Sequence, residues 1–362
     1  MYQKELAALK KANRYRTREI YNKNLIDLAS NDYLGLSEKR KVLKKAYKSL
    51  KKEDYHSSKA SMLVNGYHLV HQKFETYMAK INSFESAVVV GSGFLANLAL
   101  IEALPRKRDI LIIDEKYHAS GILASKLVDA KVVFFRHNDA GHLREILQNG
   151  VFYRAIVAVE GVYSMEGDLL NKEIFDVTNR DDTLLIVDEA HSVGVVGEKL
   201  LGIFEHYGIS IKKNHIKMGT LGKALGSYGA YILCCREIEN YLLNRAKSII
   251  YATAVSPFDI SLAYYGMRDI QKNIKNYKQK IQRNQNLVKK YLDIEMDSLI
   301  LKIDIENSGK VMELKKRYLK KGYLIGAIRP PTVERSILRI IPRLKVKKDI
   351  LKEFLKSLRG EI

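Results

Sequence analysis

The sequence has 362 residues, of which 46% are hydrophobic and 28% are charged, and its formal net charge is +21. This length predicts two domains, or one large domain with an appendage, and the apolar fraction excludes wholesale disorder. Two cysteines exclude a disulfide framework and a zinc ribbon. The positive charge leaves four explanations open: a nucleic acid, an anionic membrane, a polyanionic small molecule, or a solvated lysine-rich surface.

We expect neither a secretory signal nor a membrane-spanning segment in this sequence. The first residues, MYQKELAALKKANRYR, lack the apolar core and the cleavage site of a secretory signal. The most apolar stretch, 87–104, includes Asn97 and Glu102, which is not typical of a membrane span. Cys234 and Cys235 are expected as buried, unpaired strand residues. We therefore expect a cytoplasmic protein with no membrane partner.

The predicted elements change character along the chain. Residues 1–30 are polar and basic, and helices are predicted at 38–52 and 68–82. From residue 86 onward, short apolar runs alternate with helix-length connections, which is typical of an α/β fold with a mostly parallel sheet covered by helices. The predicted strands are 87–90, 110–113, 132–135, 155–159, 184–187, 215–218 and 231–234.

The pattern loosens after about residue 250. Long lysine-rich helices are predicted at 258–293, 309–321 and 347–358, with short strands between them. We interpret this part as a smaller C-terminal α+β domain. The predicted division is an N-terminal segment (1–37), a large domain (38–249) and a small domain (250–362).

Polar and glycine-rich segments follow the predicted strands. Open parallel sheets bind their ligands beyond the carboxyl ends of the strands, so these segments are the candidate site. In chain order they are GSGF, DEKYHAS, EGVYSMEGD, DEAHSVG and GTLGKALG.

The first candidate pair is Asp188 and His191, in DEAH at the end of a strand. A carboxylate there is partly buried and needs a cation or strong hydrogen bonds. Helicases also contain DEAH, but they need a GxxxxGK[ST] loop upstream, which this sequence lacks. A helicase, and with it the simplest nucleic-acid explanation of the charge, is therefore excluded. A helix-capping acid with a satisfied histidine stays an alternative.

The second candidate is Lys223, which lies among small residues in GTLGKALG. A lysine desolvated in such a segment is a candidate Schiff-base nucleophile. Thr220, three residues earlier, can bring a hydroxyl to a phosphate. The alternative is a surface lysine in a glycine-rich turn.

Two weaker signals complete the set. Gly91 to Phe94 open a predicted helix at 92–104, where main-chain N–H groups and the helix dipole form an anion site. His118 follows the strand 110–113 and offers a flat ring that can stack on a planar cofactor. Read alone, these are a plain strand-to-helix turn and a helix-start histidine.

The order of these signals fits one cofactor. Pyridoxal 5′-phosphate needs a lysine, an acid for its ring nitrogen, a ring-stacking group and an anion cradle. Lys223 would be the lysine, Asp188 the acid and His118 the stacking group, and the turn at Gly93 would hold the phosphate.

The chain resembles the α-oxoamine synthases, pyridoxal-phosphate enzymes of the fold-type I aminotransferase-like class, over about residues 14–358. The matching segments include SNDYLGLS (30–37), LVNGYHLVHQKFE (63–75), GFLANLAL (93–100), YHAS (117–120), FRHND (135–139), EGVYSMEGDLL (160–170), VDEAHSVGVVGE (187–198), TLGKALGSYGA (220–230), IYATAVSP (250–257) and AIRPPTVERSILRI (327–340).

The resemblance implies roles at the cofactor ring. Lys223 would bind the cofactor covalently, and Asp188 would pair with the pyridine nitrogen. His118 would stack on the ring and serve in catalysis. His191 and Ser164 would contact the phenolic oxygen or its surroundings.

The resemblance also implies how the phosphate and the substrates are held. The amides of Gly93 and Phe94, with Thr220, would bind the phosphate, and Thr253 would reach a phosphate across the interface of a homodimer with shared active sites. The residues implied around the amino-acid and acyl substrates are Asn31, Thr332, Arg339 and, at the acyl-thioester site, Arg14 or Arg16.

Three segments favour one activity within the family. EGVYSMEGD, IYATAVSP and AIRPPTV are most similar to the member that condenses L-alanine with a pimeloyl thioester, on coenzyme A or a carrier protein, in biotin biosynthesis. The alternatives are sister enzymes that use glycine with acetyl-CoA or serine with a long acyl-CoA. The chain departs from the family pattern at Lys59 and Met62 in SSKASM (57–62), at Ile337 in place of an arginine, and in PRLKVKKD (342–349). These departures bear on the acyl-chain preference more than on the core chemistry. A nucleic-acid partner and a metal are not expected, and the lysine excess is interpreted as solvated surface.

Overall fold

The computed structural model describes residues 1–12 and 14–361. The strands are β1 (Ile26–Leu28), β2 (Ser86–Val90), β3 (Ile110–Asp114), β4 (Lys131–Phe135), β5 (Ala155–Glu160), β6 (Thr183–Asp188), β7 (His215–Thr220), β8 (Ala230–Cys234), β9 (Leu301–Asp304), β10 (Tyr323–Ile328) and β11 (Ile337–Ile340). The helices are α1 (Gln3–Lys11), α2 (Arg40–Leu50), α3 (Leu69–Asn82), α4 (Gly93–Ala103), α5 (Ala119–Ala124), α6 (Ala140–Asn149), α7 (Glu173–Val177), α8 (Ile203–His206), α9 (Arg236–Arg245), α10 (Lys247–Ile250), α11 (Pro257–Lys272), α12 (Ile274–Leu292), α13 (Ser308–Lys320) and α14 (Lys348–Arg359).

The large sheet contains all seven predicted strands, in the order β2-β8-β7-β6-β5-β3-β4. Strand β8 runs antiparallel to both of its neighbours, and the other pairs are parallel. The predicted α/β architecture with a mostly parallel sheet is therefore confirmed. The carboxyl ends of β5, β6 and β7 lie side by side at one edge.

Both faces of this sheet are buried, which explains why its strands are apolar runs without polar alternation. In β3, Ile110 and Ile112 belong to one hydrophobic core, while Leu111 and Ile113 belong to the other. Successive side chains of a strand point to opposite faces, so each run supplies both cores at once. Helix α4 covers one face, and α3 and α11 cover the other.

A second sheet has the order β1-β10-β11-β9, with β1 parallel to β10 and the other pairs antiparallel. Helices α12, α13 and α14 pack against it and form a third core. The predicted single helix at 258–293 is wrong, because the structure has two helices there. Asn273 between them has φ −120° and ψ 24°, and its side-chain amide donates to the carbonyl of Asp269 at 2.8 Å.

The N-terminal segment is part of the small sheet through β1. Arg343, which is buried, donates to Asp27 at 2.7 Å and to Asp32 at 2.6 Å, so its guanidinium fixes the chain that follows β1. The domain limits at residues 37 and 249 stay a prediction. Across the described residues, the helices are too short or too polar to cross a membrane.

Candidate active site

The carboxyl ends of neighbouring strands bring the chemical groups together. Glu160 ends β5 and Asp188 ends β6, and the two residues are paired in the sheet register. Thr220 ends β7, and Lys223 lies in the turn that follows. This is the edge at which an open parallel sheet binds its ligands.

Lys223 is in contact with His191. The Lys223 amine lies 2.7 Å from Nε2 of His191, and Nδ1 of the same ring lies 2.5 Å from the hydroxyl of Tyr33. If the amine donates to Nε2, the ring proton is on Nδ1 and is donated to Tyr33. Burial, together with the charges of Lys223 and Arg339, lowers the pKa of His191 well below its usual range, which keeps the ring neutral.

Burial also acts on the Lys223 amine. Desolvation lowers its pKa to about 8, although the negative charge of Asp188, and that of Glu160 whenever it is ionised, act in the opposite direction. A lysine at an ordinary pKa is protonated and unreactive at neutral pH. With a pKa of about 8, roughly a tenth of the amine is unprotonated at neutral pH, and this is the state that attacks a carbonyl carbon or accepts a proton.

Asp188 is held as an oriented acceptor. It is 4% exposed, and its Oδ2 accepts from the side-chain amide of Asn97 at 2.9 Å. Its Oδ1 accepts from the main-chain N–H of Ala190 at 2.9 Å. Asn97 in turn accepts from the hydroxyl of Tyr117 at 2.6 Å. These contacts fix the orientation of the carboxylate. Its oxygens can still accept a further hydrogen bond from a positively charged donor.

His118 lies at the start of α5 and remains exposed. Its Nδ1 is 2.7 Å from the hydroxyl of Ser120, whose oxygen also accepts from Asn97 at 3.0 Å. One network therefore orients His118 and Asp188 together. An exposed imidazole with a fixed orientation can stack on a planar ligand.

The N-terminus of α4 faces Thr220. A side-chain carbon added to Gly93 would lie 3.9 Å from Cβ of Thr220, so the two residues are close neighbours. The first turn of a helix leaves main-chain N–H groups without partners in the helix, and the amides of Gly93 and Phe94 are among them. Thr220 Oγ1 donates to the carbonyl of Gly229 at 3.1 Å and accepts from the N–H of Gly222 at 3.3 Å, and by rotating, its hydroxyl would donate to a bound anion instead. The arrangement suits a phosphate.

Arg339 connects three parts of the chain. Its Nε donates to the carbonyl of Ser164 at 2.8 Å, and one terminal nitrogen donates to Oδ1 of Asn31 at 2.9 Å. The other terminal nitrogen is buried and lacks a partner in good hydrogen-bond geometry among the described residues, and the Tyr33 hydroxyl interacts with this guanidinium. A buried guanidinium nitrogen without an acceptor is costly, and a bound carboxylate would satisfy it.

The remaining predicted residues lie apart from Lys223. Arg14, Arg16 and Thr332 line a cavity of about 270 Å³, in which Arg16 donates to the Thr332 hydroxyl at 3.2 Å. Thr332 also lines a neighbouring cavity of about 460 Å³ beside Tyr117. Thr253 is exposed and pairs with Ser61 through the main chain.

Sequence reasoning missed four residues of the site. Tyr33 contacts His191, and Asn97 and Tyr117 hold Asp188. The fourth, Glu160, is buried next to Asp188. A signal existed for Asn97, a single amide in the otherwise apolar helix GFLANLAL.

The chain is similar to known proteins over nearly its whole length. The family model "Aminotransferase class I and II" matches residues 23–358. The 8-amino-7-oxononanoate synthase of Helicobacter pylori strain J99 is 41% identical over 99% of this chain and 96% of that protein. The putative 8-amino-7-oxononanoate synthase of Aquifex aeolicus is 34% identical over 98% and 96%.

Solved structures agree in fold. The serine palmitoyltransferase of Sphingomonas wittichii superposes with a TM-score of 0.90 at 22% identity, covering 99% of this chain and 96% of that one, which shows the fold alone. The 8-amino-7-oxononanoate synthase of Francisella tularensis superposes with a TM-score of 0.80 at 28% identity, covering 94% and 98%. The predicted fold type and the predicted family are both confirmed. The chain therefore belongs to the class I and II aminotransferase family, the pyridoxal-phosphate-dependent enzymes of fold type I, and groups within it with the 8-amino-7-oxononanoate synthases among the α-oxoamine synthases.

Proposed function

We propose that this chain catalyses the decarboxylative condensation of L-alanine with a pimeloyl thioester, which yields 8-amino-7-oxononanoate for biotin biosynthesis. The full-length relatives named for that product support the proposal at 41% and 42% identity. The observation that carries it is the juxtaposition of a lysine amine of lowered pKa with a buried arginine nitrogen that lacks a partner. An amino acid needs both groups, one near its amine and one for its carboxylate.

The described side chains fit pyridoxal phosphate. Lys223 would bind the cofactor covalently, and Asp188 would accept from the protonated ring nitrogen. His118 would stack on the ring, while His191 and Ser164 would lie near its phenolic oxygen.

The phosphate of the cofactor would lie at the start of α4. The amides of Gly93 and Phe94 with the Thr220 hydroxyl would bind it, and the closeness of Gly93 to Thr220 supports this placement. Thr253 of the partner subunit would complete the phosphate site in a homodimer.

When bound, the cofactor supplies an electron sink for the pair left at the alanine Cα after proton loss. Lys223 moves that proton, since a pKa of about 8 lets its amine accept and return protons near neutral pH. Asp188 keeps the ring nitrogen protonated through its negative charge. Arg339, with Asn31, holds the alanine carboxylate until it leaves as carbon dioxide.

The second substrate brings the acyl carbon. A carbon–carbon bond forms between the alanine Cα and the thioester carbonyl, and the thiol leaves. His118 donates a hydrogen bond to the oxygen on which charge develops. Arg16 or Arg14, together with Thr332, would contact the acyl thioester in the cavity that they line. We also place the protein in the cytoplasm, where Cys234 and Cys235 stay unpaired.

A substrate comparison tests the proposed reaction. Thiol release is measured with L-alanine and pimeloyl-CoA, with L-alanine and a pimeloyl carrier protein, with glycine and acetyl-CoA, and with serine and palmitoyl-CoA. We expect the highest kcat/KM with alanine and one of the pimeloyl donors, and mass spectrometry should identify 8-amino-7-oxononanoate. A higher kcat/KM with either other pair would assign the chain to a sister activity.

The role of Lys223 is tested by Lys223→Ala. We expect turnover to fall by at least about 10³-fold, because both the covalent link and the proton-transferring amine are lost. The variant should retain noncovalent cofactor binding through the phosphate site. Lys213→Ala, in an exposed turn at the opposite edge of the sheet, is the matched control. Substantial turnover of the Lys223 variant would contradict the assignment.

A further inference from the structure

Glu160 is a buried acid to which the proposed reaction assigns no role. It is the last residue of β5, it is 1% exposed, and it lies beside Asp188 in the register of the sheet. Its Oε2 accepts from the main-chain N–H of Ser164 at 2.9 Å. Its Oε1 has no hydrogen-bond partner among the residues that the structure describes.

The surroundings of Glu160 favour its neutral form. Burial first, and then the charge of Asp188, raise its pKa well above the usual range. Asp114, at the end of β3, acts in the same direction, and Lys223 and the Ser164 amide oppose it. The hydroxyls of Tyr33, Tyr117 and Tyr163 also lie within electrostatic range and bring no positive charge.

A neutral carboxyl group has one acceptor oxygen and one O–H donor. The oxygen that receives the Ser164 N–H must be the carbonyl oxygen, which leaves the hydroxyl on Oε1. A buried donor without an acceptor costs free energy, so such groups are normally satisfied. Near this hydroxyl, the protein supplies no acceptor among its described residues.

Glu160 and Arg339 are attached to the same residue. Glu160 accepts from the N–H of Ser164, and Nε of Arg339 donates to the carbonyl of Ser164. Each of the two side chains has one buried polar atom without a partner. Both unsatisfied groups are thus held by one residue of the site, and an anionic ligand oxygen would satisfy each of them.

We propose that Glu160 is a ligand-binding residue that carries a proton in the working enzyme and donates a hydrogen bond from Oε1 to an anionic oxygen of the bound ligand. The inference rests on the proposed function, because that oxygen belongs either to pyridoxal phosphate or to the carboxylate of the amino acid. In both cases Glu160 acts as a donor, beside an Asp188 that acts as an acceptor. The two neighbouring acids thus have opposite hydrogen-bonding roles.

Two substitutions separate this role from an ordinary structural one. Glu160→Gln keeps an acceptor for Ser164 and an N–H donor in place of the hydroxyl. Glu160→Leu has a similar size and has no donor. We expect the Gln variant to bind within about threefold of the unchanged protein and the Leu variant to lose about tenfold or more, which is the ordinary effect of a hydrogen bond to a charged group.

Two binding measurements identify the acceptor. Absorbance titration of the apo-protein gives the cofactor Kd without any amino acid, and spectral titration with L-alanine gives the alanine Kd of the cofactor-loaded protein. A loss in the Leu variant in the first titration assigns the acceptor to the cofactor, and a loss confined to the second assigns it to the substrate carboxylate. Neither titration uses a pimeloyl thioester, so a failed condensation assay leaves this comparison intact.

Glu75→Leu is the matched control, because Glu75 is a buried acid with partners on both oxygens. It accepts from the Tyr67 hydroxyl and from the main-chain N–H of Val89 at 2.8 Å. This variant should lower the urea midpoint of the apo-protein without changing either Kd.

Two results would overturn the proposal for Glu160. A Gln variant that loses tenfold in affinity would mean that Glu160 works as an ionised acceptor. A Leu variant that binds both ligands normally would mean that no donor is needed. If the Leu variant does not fold, the Gln variant alone still decides between a donor and an ionised acceptor.

Discussion

At the scale of single residues, the site works by removing charged groups from water. The Lys223 amine has a pKa of about 8 instead of 10.5, because burial penalises its charged form more than the neighbouring acids favour it. His191, in contact with that amine, stays neutral for the same reason. A lysine that loses its proton near neutral pH can act as both nucleophile and base.

The lowered pKa predicts how cofactor binding depends on pH. Only the unprotonated amine attacks the cofactor aldehyde, so the rate of covalent binding to the apo-protein should rise with pH, with a midpoint at about 8, and level off roughly one pH unit above it. Stopped-flow absorbance between about pH 6 and about pH 10 measures it. Asp188→Asn should move the midpoint to lower pH, because the Asp188 charge raises this pKa. A midpoint near 10 in the unchanged protein would show that the amine is not desolvated.

At the scale of elements, a buried ion pair connects β7 to the turn that carries His191. Lys217, 1% exposed, lies 3.4 Å from Oε1 of Glu189 and donates to Oδ1 of Asn82 at 2.9 Å. Glu189 in turn accepts from the main-chain N–H of Ile203 at the start of α8. Because Glu189 follows Asp188 directly, this pair supports the catalytic turn from behind.

Removing one member of this pair should be costly. Lys217→Met leaves the Glu189 charge buried and unpaired, so we expect the free energy of unfolding to fall by about 3–5 kcal/mol. The double variant Lys217→Met with Glu189→Gln should recover part of that loss. Urea unfolding of the apo-protein measures both.

The control for this substitution is Lys247→Met. It breaks the ion pair with Glu102, in which Lys247 is exposed, and it should leave the urea midpoint unchanged. If the two substitutions lowered the free energy of unfolding equally, burial would not explain the stability that the Lys217–Glu189 pair contributes.

At the scale of the whole molecule, an exposed apolar surface surrounds Thr253. Thr253 pairs with Ser61, and the neighbouring side chains of Val64 and Tyr251 are 77% and 81% exposed. Leu63 and Leu69 are exposed in the same segment. Clustered apolar residues of this kind mark protein interfaces, and we propose that a second copy of the chain covers them.

Light scattering tests the proposed dimer. We expect a mass of about twice the chain mass of 41.4 kDa. Val64→Asp should lower the dimer fraction, because it buries an unpaired charge in the interface, and should weaken cofactor binding if Thr253 completes the partner's phosphate site. Val151→Asp, at a fully exposed valine elsewhere, is the control and should do neither. A monomer mass for the unchanged protein would rule out the dimer.

Most of the sheet was predictable, and part of the helical region was not. All seven strands of the large sheet were predicted, because a strand that is buried on both faces has a continuous run of apolar residues in the sequence. The helix predicted at 258–293 is divided at Asn273, whose side chain bonds the main chain of Asp269. A lysine-rich helical pattern continues across such a break, so the sequence shows no change of period there.

The sequence by itself determined the order of the chemical groups. Lys223, Asp188, His118 and the turn at Gly93 follow strands, and the ends of parallel strands must meet at one edge. These signals are local, since each depends on a few adjacent residues, and together they indicate the cofactor, whereas the family came from segments that match along most of the chain.

Only the tertiary structure decided which side chains of the site are buried in hydrogen-bonding contact with one another. Tyr33, Asn97 and Arg339 come from distant parts of the chain, and no local pattern states that they reach His191, Asp188 and Ser164. Likewise, no local pattern predicts that Oε1 of Glu160 lacks a hydrogen-bond partner among the described residues, because this depends on which distant side chains the fold packs around it. Burial and hydrogen-bond satisfaction are properties of packed neighbours, and they set the pKa of Lys223 and the proposed protonation of Glu160.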